Sequence, residues 1–88
     1  MKEVELERPL KALANRRRLA ILKFLRVRRE APVGDIAERI RLSFKSTSKH
    51  LAVLAGAGIV DRDQRSLQMF YRISSGAPVP AKAVISLL

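Results

Sequence analysis

The stretch SFKSTSKHLAVLAGAG, from Ser43 to Gly58, mixes two residue populations that a helix would separate cleanly. At about 100° per residue, Thr47, Leu51, Leu54, Ala55 and Gly58 gather on one side, with Phe44 at its edge. Lys45, Ser46, Lys49 and Val53 gather opposite, and His50 flanks them. Ser43 suits an N-cap, and Gly56-Ala57-Gly58 suits a stop. A shorter helix precedes this one across a tight turn at Arg41-Leu42. The pair therefore reads as a helix-turn-helix whose second member faces a nucleic acid.

Charge points the same way. The 88 residues hold 18 Lys+Arg against 8 Asp+Glu, a formal charge of +10, which suits a polyanionic partner. A chain of this length makes one domain with a modest core, residues 1–88, and dimerisation would add to it. With no cysteine, disulfides, thiolate metal sites and thiol redox sensing are excluded. No apolar run approaches the roughly 18 residues of a membrane span, and the acidic start MKEVELE is unlike a secretory signal, so a cytoplasmic protein without membrane contact is expected. One histidine, no clustered carboxylates and no phosphate-cradling glycine loop argue against an enzyme.

Along the chain, Leu6, Leu10, Leu13 and Ala14 recur at helical spacing, and Pro9 is expected to start a helix in its first turn or to kink it. Asn15 fits the N-cap of a second helix running to about Arg28, with Leu19, Ile21, Leu22 and Leu25 inward. From Arg8 through Arg29 there are nine basic residues and no acidic one. Arg16, Arg17 and Arg18 stand at a helix N-terminus, where the dipole disfavours cations, so a phosphate or a carboxylate such as Glu30 or Glu38 is expected beside them. Ala31-Pro32 breaks the pattern. Val33 to Ile40 forms a third helix with Ile36, Ala37 and Ile40 inward. After the reading helix, residues 59–63 and 68–73 have the β-branched and aromatic content of two strands around a Gln64-Arg65-Ser66-Leu67 tip. SSGAPVP reads as a linker, and AKAVISLL is a short apolar segment that needs a surface to lie on.

These pieces resemble the ArsR-type winged helix-turn-helix transcription regulators from about Leu10 to Ile73. LKALANRRRLAILKFL looks like that family's junction of helices 1 and 2, with Asn15 where an aspartate is usual. PVGDIAERIRLSFKSTSKHLAVLAGAGIV is similar to its helix-turn-helix. Leu42-Ser43, Ser48-Lys49-His50-Leu51 and the run from Leu54 to Val60 fall in the expected order, and FYRIS looks like the end of its wing.

The resemblance implies a mainly α fold with a small β-hairpin in the order α-α-α-α-β-β-α. It also implies a homodimer whose first and last helices, in residues 1–14 and 79–88, pair through Leu6, Leu10, Leu13, Val84, Ile85 and Leu88. Two reading helices would then lie about one DNA turn apart, roughly 34 Å, over a near-palindromic site. Carried over position by position, the base-reading residues are Lys45, Ser46, Lys49 and His50. Ser43 and Ser48 approach the DNA backbone, and Arg62, Arg65 and Arg72 serve the wing. The lysines, one turn apart, can reach guanine edges or phosphates, and Ser46 can donate or accept a hydrogen bond.

Several features depart from the family's pattern. Pro32, Val33 and Gly34 stand where metal-sensing members carry cysteines, and AKAVISLL offers no terminal-helix ligand, so neither metal nor other cofactor is expected. Arg41 stands where glycine is common, at a cost of roughly 1 to 2 kcal/mol if its backbone is left-handed. Pro9 interrupts a dimer helix, and the last helix is short. The expected function is sequence-specific recognition of double-stranded DNA by a transcription regulator, a repressor competing with polymerase. The alternatives are a winged helix docking on the transcription machinery through its terminal helices and Arg-rich helix 2, or a protein coating DNA without sequence preference.

Overall fold

The computed structural model describes all residues 1–88. Five helices and three strands follow one another: α1 (Glu3–Leu13), α2 (Arg16–Arg28), β1 (Glu30–Pro32), α3 (Val33–Ile40), α4 (Phe44–Gly56), β2 (Val60–Arg65), β3 (Gln68–Ile73) and α5 (Val79–Ile85). The helix-turn-helix is α3 and α4, and the wing is β2 and β3.

Local chemistry accounts for most boundaries. Asn15 has an extended backbone, and its side chain accepts from the Arg17 and Arg18 N–H groups at 2.9 and 3.1 Å, which starts α2. Ser43 starts α4 in the same way, accepting from the Ser46 N–H at 3.1 Å. At the other end of α4, Gly58 takes φ 73° and lets the chain turn into β2. Ile21, Leu22 and Leu25 of α2 meet Ile36 of α3, Leu51 and Leu54 of α4 and Ile59, all essentially inaccessible to solvent. Each such side chain contributes about 1.5–3 kcal/mol by burial. Thr47 is buried with them, its Oγ1 without a partner.

Helix α1 runs through Pro9 from Glu3, so of the two places expected for the proline, the first turn of a helix or its interior, it takes the interior. The proline forgoes one hydrogen bond, but its ring is buried, and Glu3 and Glu5 favour the helix dipole upstream of it. Residues 30–32 are more than a break. They form an edge strand on the wing, with Glu30 opposite Arg72 and Pro32 opposite Phe70, giving the antiparallel order β1-β3-β2. An edge position tolerates a proline because one side of the strand needs no donor.

The turn between α3 and α4 is left-handed at Arg41, with φ 55° and ψ 51°. The Leu42 N–H reaches back to the Ala37 carbonyl at 3.0 Å, closing α3 in a Schellman-like cap. Arg41→Gly relieves the Cβ strain and loses a smaller amount to backbone entropy. The expected net gain is about 0.5–1 kcal/mol, or a melting temperature raised by roughly 2–8 °C, measured by thermal unfolding.

Candidate nucleic-acid interface

Thr47, Leu51 and Leu54 fasten α4 to the core, and the opposite face stands in water. Lys45 and Lys49 are both exposed on that face, and neither joins an ion pair. Ser43 is exposed at the start of the helix, while Ser46 and Ser48 are half-buried along its two margins. Phe44, placed by helical spacing at the edge of the apolar side, is 63% exposed. It is the first helical residue, and the burial of α4 begins one turn later at Thr47.

His50 departs from the outer face. It is half-buried, and its Nδ1 lies 3.2 Å from Nη1 of Arg18 on α2. A guanidinium only donates, so Nδ1 accepts and the ring is neutral with its proton on Nε2. Burial, and then the charges of Arg18 and Arg17, hold the imidazole below its usual 6.5. Because the folded-state value is depressed, His50 stabilises the fold in full above the unfolded value and loses this as pH falls through the folded one. Proton-coupled NMR titration of the ring should give a midpoint below 6.5, and Arg18→Met should move it upward.

Arg18 explains how α2 tolerates cations at its N-terminus. Its guanidinium also donates to the Ala12 and Lys11 carbonyls, so it sits on the negative end of α1. Neither expected carboxylate serves the cluster, because Glu30 is engaged by the wing and Glu38 forms no ion pair. Arg8 similarly donates to the Gly56 carbonyl at 2.6 Å, tying α1 to the end of α4.

The wing gives its arginines different surroundings. Strands β2 and β3 meet at a two-residue loop, Ser66-Leu67, where Ser66 takes φ 56° as the first central residue of a primed turn does. Arg65 does not reach outward from this tip. It folds over the Phe70 ring at 4.6 Å, grips both oxygens of Glu30 at 2.7 and 2.6 Å and holds Asp63 at 3.0 Å. Arg72 lies 3.8 Å from the same Glu30 carboxylate. These partners occupy one sheet face by the two-residue alternation of strands, the face opposite buried Val60 and Tyr71, and they hold the exposed Arg65 side chain across the strands. The Arg65 hydrogen bond and the charges of Arg65 and Arg72 hold Glu30 below the usual carboxylate range, against some desolvation and the Asp63 charge.

Arg62 points to the other sheet face, exposed and free of acidic partners. The two arginines should therefore behave differently. Arg62→Ala is expected to reduce the salt slope of DNA binding by about one, whereas Arg65→Ala leaves the slope unchanged and speeds amide exchange in β2 and β3. Binding isotherms over a salt series and hydrogen-exchange measurements check the two halves.

The terminal helices lie against each other within one subunit. Leu13 and Ile85, expected at a dimer seam, are 4% and 8% exposed in the subunit's own core, where α5 packs on both α1 and α2. Leu6, Val84 and Leu88 are half-buried, and Leu10 is exposed. Leu10 shares an open apolar groove along α1 with Val4 and Leu6. Metal sites of the kind the resemblance implies do not fit: Pro32, Val33 and Gly34 stand at the start of α3, α5 has no ligating side chain, and no three His, Cys, Asp or Glu residues come together.

A helix-turn-helix with a free lysine pair on its second helix, followed by a stiffened hairpin, defines a winged helix-turn-helix domain of the DNA-binding class. The chain belongs to the ArsR family of bacterial regulatory proteins, whose sequence profile matches residues 15–62. It is 42% identical to the transcriptional activator HlyU of Vibrio cholerae over 79 residues, 90% of this chain and 69% of that protein. The structure of reduced HlyU matches with a TM-score of 0.82 over 97% of this chain and 85% of that one, at 39% identity. The homodimeric winged helix-turn-helix domain of Mb0332 from Mycobacterium bovis matches with a TM-score of 0.79 at 31% identity, over 96% of this chain and 74% of that one. The transcriptional repressor BigR from Xylella fastidiosa matches at 0.77 and 31%, over 96% and 80%. No helix of this chain is long and apolar enough to cross a membrane.

Proposed function

We propose that the chain acts in the cytoplasm as a homodimeric transcription regulator that reads double-stranded DNA through the outer face of α4. The observation that carries this reading is the pair Lys45 and Lys49, exposed one turn apart and free of acidic partners on a helix locked to the core from behind. Lys45 and Lys49 contact guanine edges or phosphates, Ser46 adds a hydrogen bond at a base edge, and Ser43 and Ser48 approach the backbone. Phe44, exposed beside them, supplies an apolar surface for a thymine methyl. Arg62 serves the wing. His50, bonded to Arg18, acts by holding α4 on α2.

Homodimerisation is supported by the relative from Mycobacterium bovis and by the exposed Val4 and Leu10 on α1 and Leu87 beyond α5. The relatives include an activator and a repressor. Repression follows when the dimer's site overlaps a promoter. Titration of the 15N-labelled protein with duplex DNA tests the placement of the surface. The proposal expects the largest amide shifts in residues 43–50 and 60–67. Shifts confined to α1 and α5 would contradict it and favour a module that docks on protein.

A further inference from the structure

The flank of α2 away from α5 holds a second positively charged surface, apart from the lysine face of α4. Ala20, Phe24 and Val27 follow one another at i, i+4 and i+7, and Ile40 of α3 closes the opposite wall of an open groove of about 730 Å³. Val27 is 81% exposed there. Cations surround this apolar strip. Arg16 and Arg17 stand at one end, Lys23 runs along its edge, and Arg28 and Arg39 each lie 5.8 Å from the centre of the Phe24 ring. Only Arg28 is neutralised, by Asp35 at 2.8 Å. Arg16, Arg17, Lys23 and Arg39 have no acidic partner.

A phosphate surface needs the cations but not an exposed valine and a half-buried phenylalanine between them. A small ligand would leave much of itself in water, because the groove is open along its length. From Arg16 to Val27 the strip runs about 16 Å, three helical turns. These dimensions and charges suit an amphipathic helix that places apolar residues on Phe24 and Val27 and carboxylates against the flanking arginines. We infer that the groove between α2 and α3 docks a short acidic, amphipathic helix of a partner protein. Arg26 points to the opposite flank and donates to the Ile85 carbonyl at 2.8 Å, so a dimer built on α1 and α5 leaves the groove accessible.

The test uses the full chain and a fluorescein-labelled peptide helix with leucines at i, i+3, i+4 and i+7 and glutamates on both flanks, followed by anisotropy. A permuted peptide of identical composition is the control. The inference expects the amphipathic peptide to bind at least roughly tenfold tighter than the permuted one. It also expects Val27→Asp and Lys23→Glu each to weaken binding about tenfold with unchanged thermal melting, since both side chains are exposed. Saturation with duplex DNA should leave the peptide bound. Equal affinity for both peptides would overturn the inference and leave an unspecific cationic patch. Displacement by DNA would also overturn it, making the groove part of the phosphate surface.

Discussion

Replacing Lys45 and Lys49 together by alanine is expected to lower affinity for a specific site about a hundredfold or more, with the melting temperature unchanged. Each lysine lost from a base edge or phosphate removes roughly 1–3 kcal/mol, and about 1.4 kcal/mol is tenfold in affinity. The fold has no stake in either side chain. Both are exposed and without ion pairs, while Thr47, Leu51 and Leu54 hold the helix from the other side. The same double substitution should flatten the salt dependence, because fewer counterions are released on binding. Ser46→Ala and Lys49→Ala should each weaken the specific site more than a scrambled duplex. Equal losses on both would remove direct readout from α4. Anisotropy titrations on the two duplexes at several salt concentrations make the comparison.

The second large effect concerns assembly. Leu10→Glu is expected to convert the proposed dimer to a monomer that remains folded, since Leu10 is 46% exposed and contributes little to the subunit's own core. A glutamate there would be buried without a partner at the seam, a cost of several kcal/mol that a small interface cannot offset. A monomer engages one half-site only. It therefore loses the effective-concentration gain of linked binding, worth roughly 10²–10⁴ in affinity. Sedimentation equilibrium reports the assembly, and DNA titration reports the loss. The same substitution at Leu13 is uninformative, because Leu13 belongs to the core and its loss would unfold the chain.

Elements held by neighbouring residues were legible from the sequence. Asn15 and Ser43 announce their helices because a cap is a contact across two or three residues, and α2 and α3 begin and end where spacing and caps place them. Arg41 was marked only through the resemblance, as a residue standing where glycine is common, and its backbone is left-handed. What remained hidden depends on distant partners. Three residues of β1 carry no period, and the strand exists only because β3 offers it an edge. Arg65 lies 35 positions from Glu30 and Arg18 lies 32 from His50, so no local pattern could reveal that these cations and this histidine are already engaged. Leu13 and Ile85 show the same limit. An apolar residue on a terminal helix has one spacing whether it faces its own core or a second copy, and only the packing of α5 on α1 separates the two. Within the candidate site, the lysine pair was legible as the uncovered side of an amphipathic helix. Phe44 was not, because helical spacing puts it only at the edge of the apolar side and its exposure is decided by packing.

Selection of bound duplexes from a random-sequence DNA pool tests the central claim most directly. Two copies of α4 on a two-fold axis predict a near-palindromic motif with half-sites about one helical turn apart, roughly 10–10.5 base pairs from centre to centre. Tight binding at moderate salt with no enriched motif would contradict sequence-specific reading and leave a protein that coats DNA by charge alone.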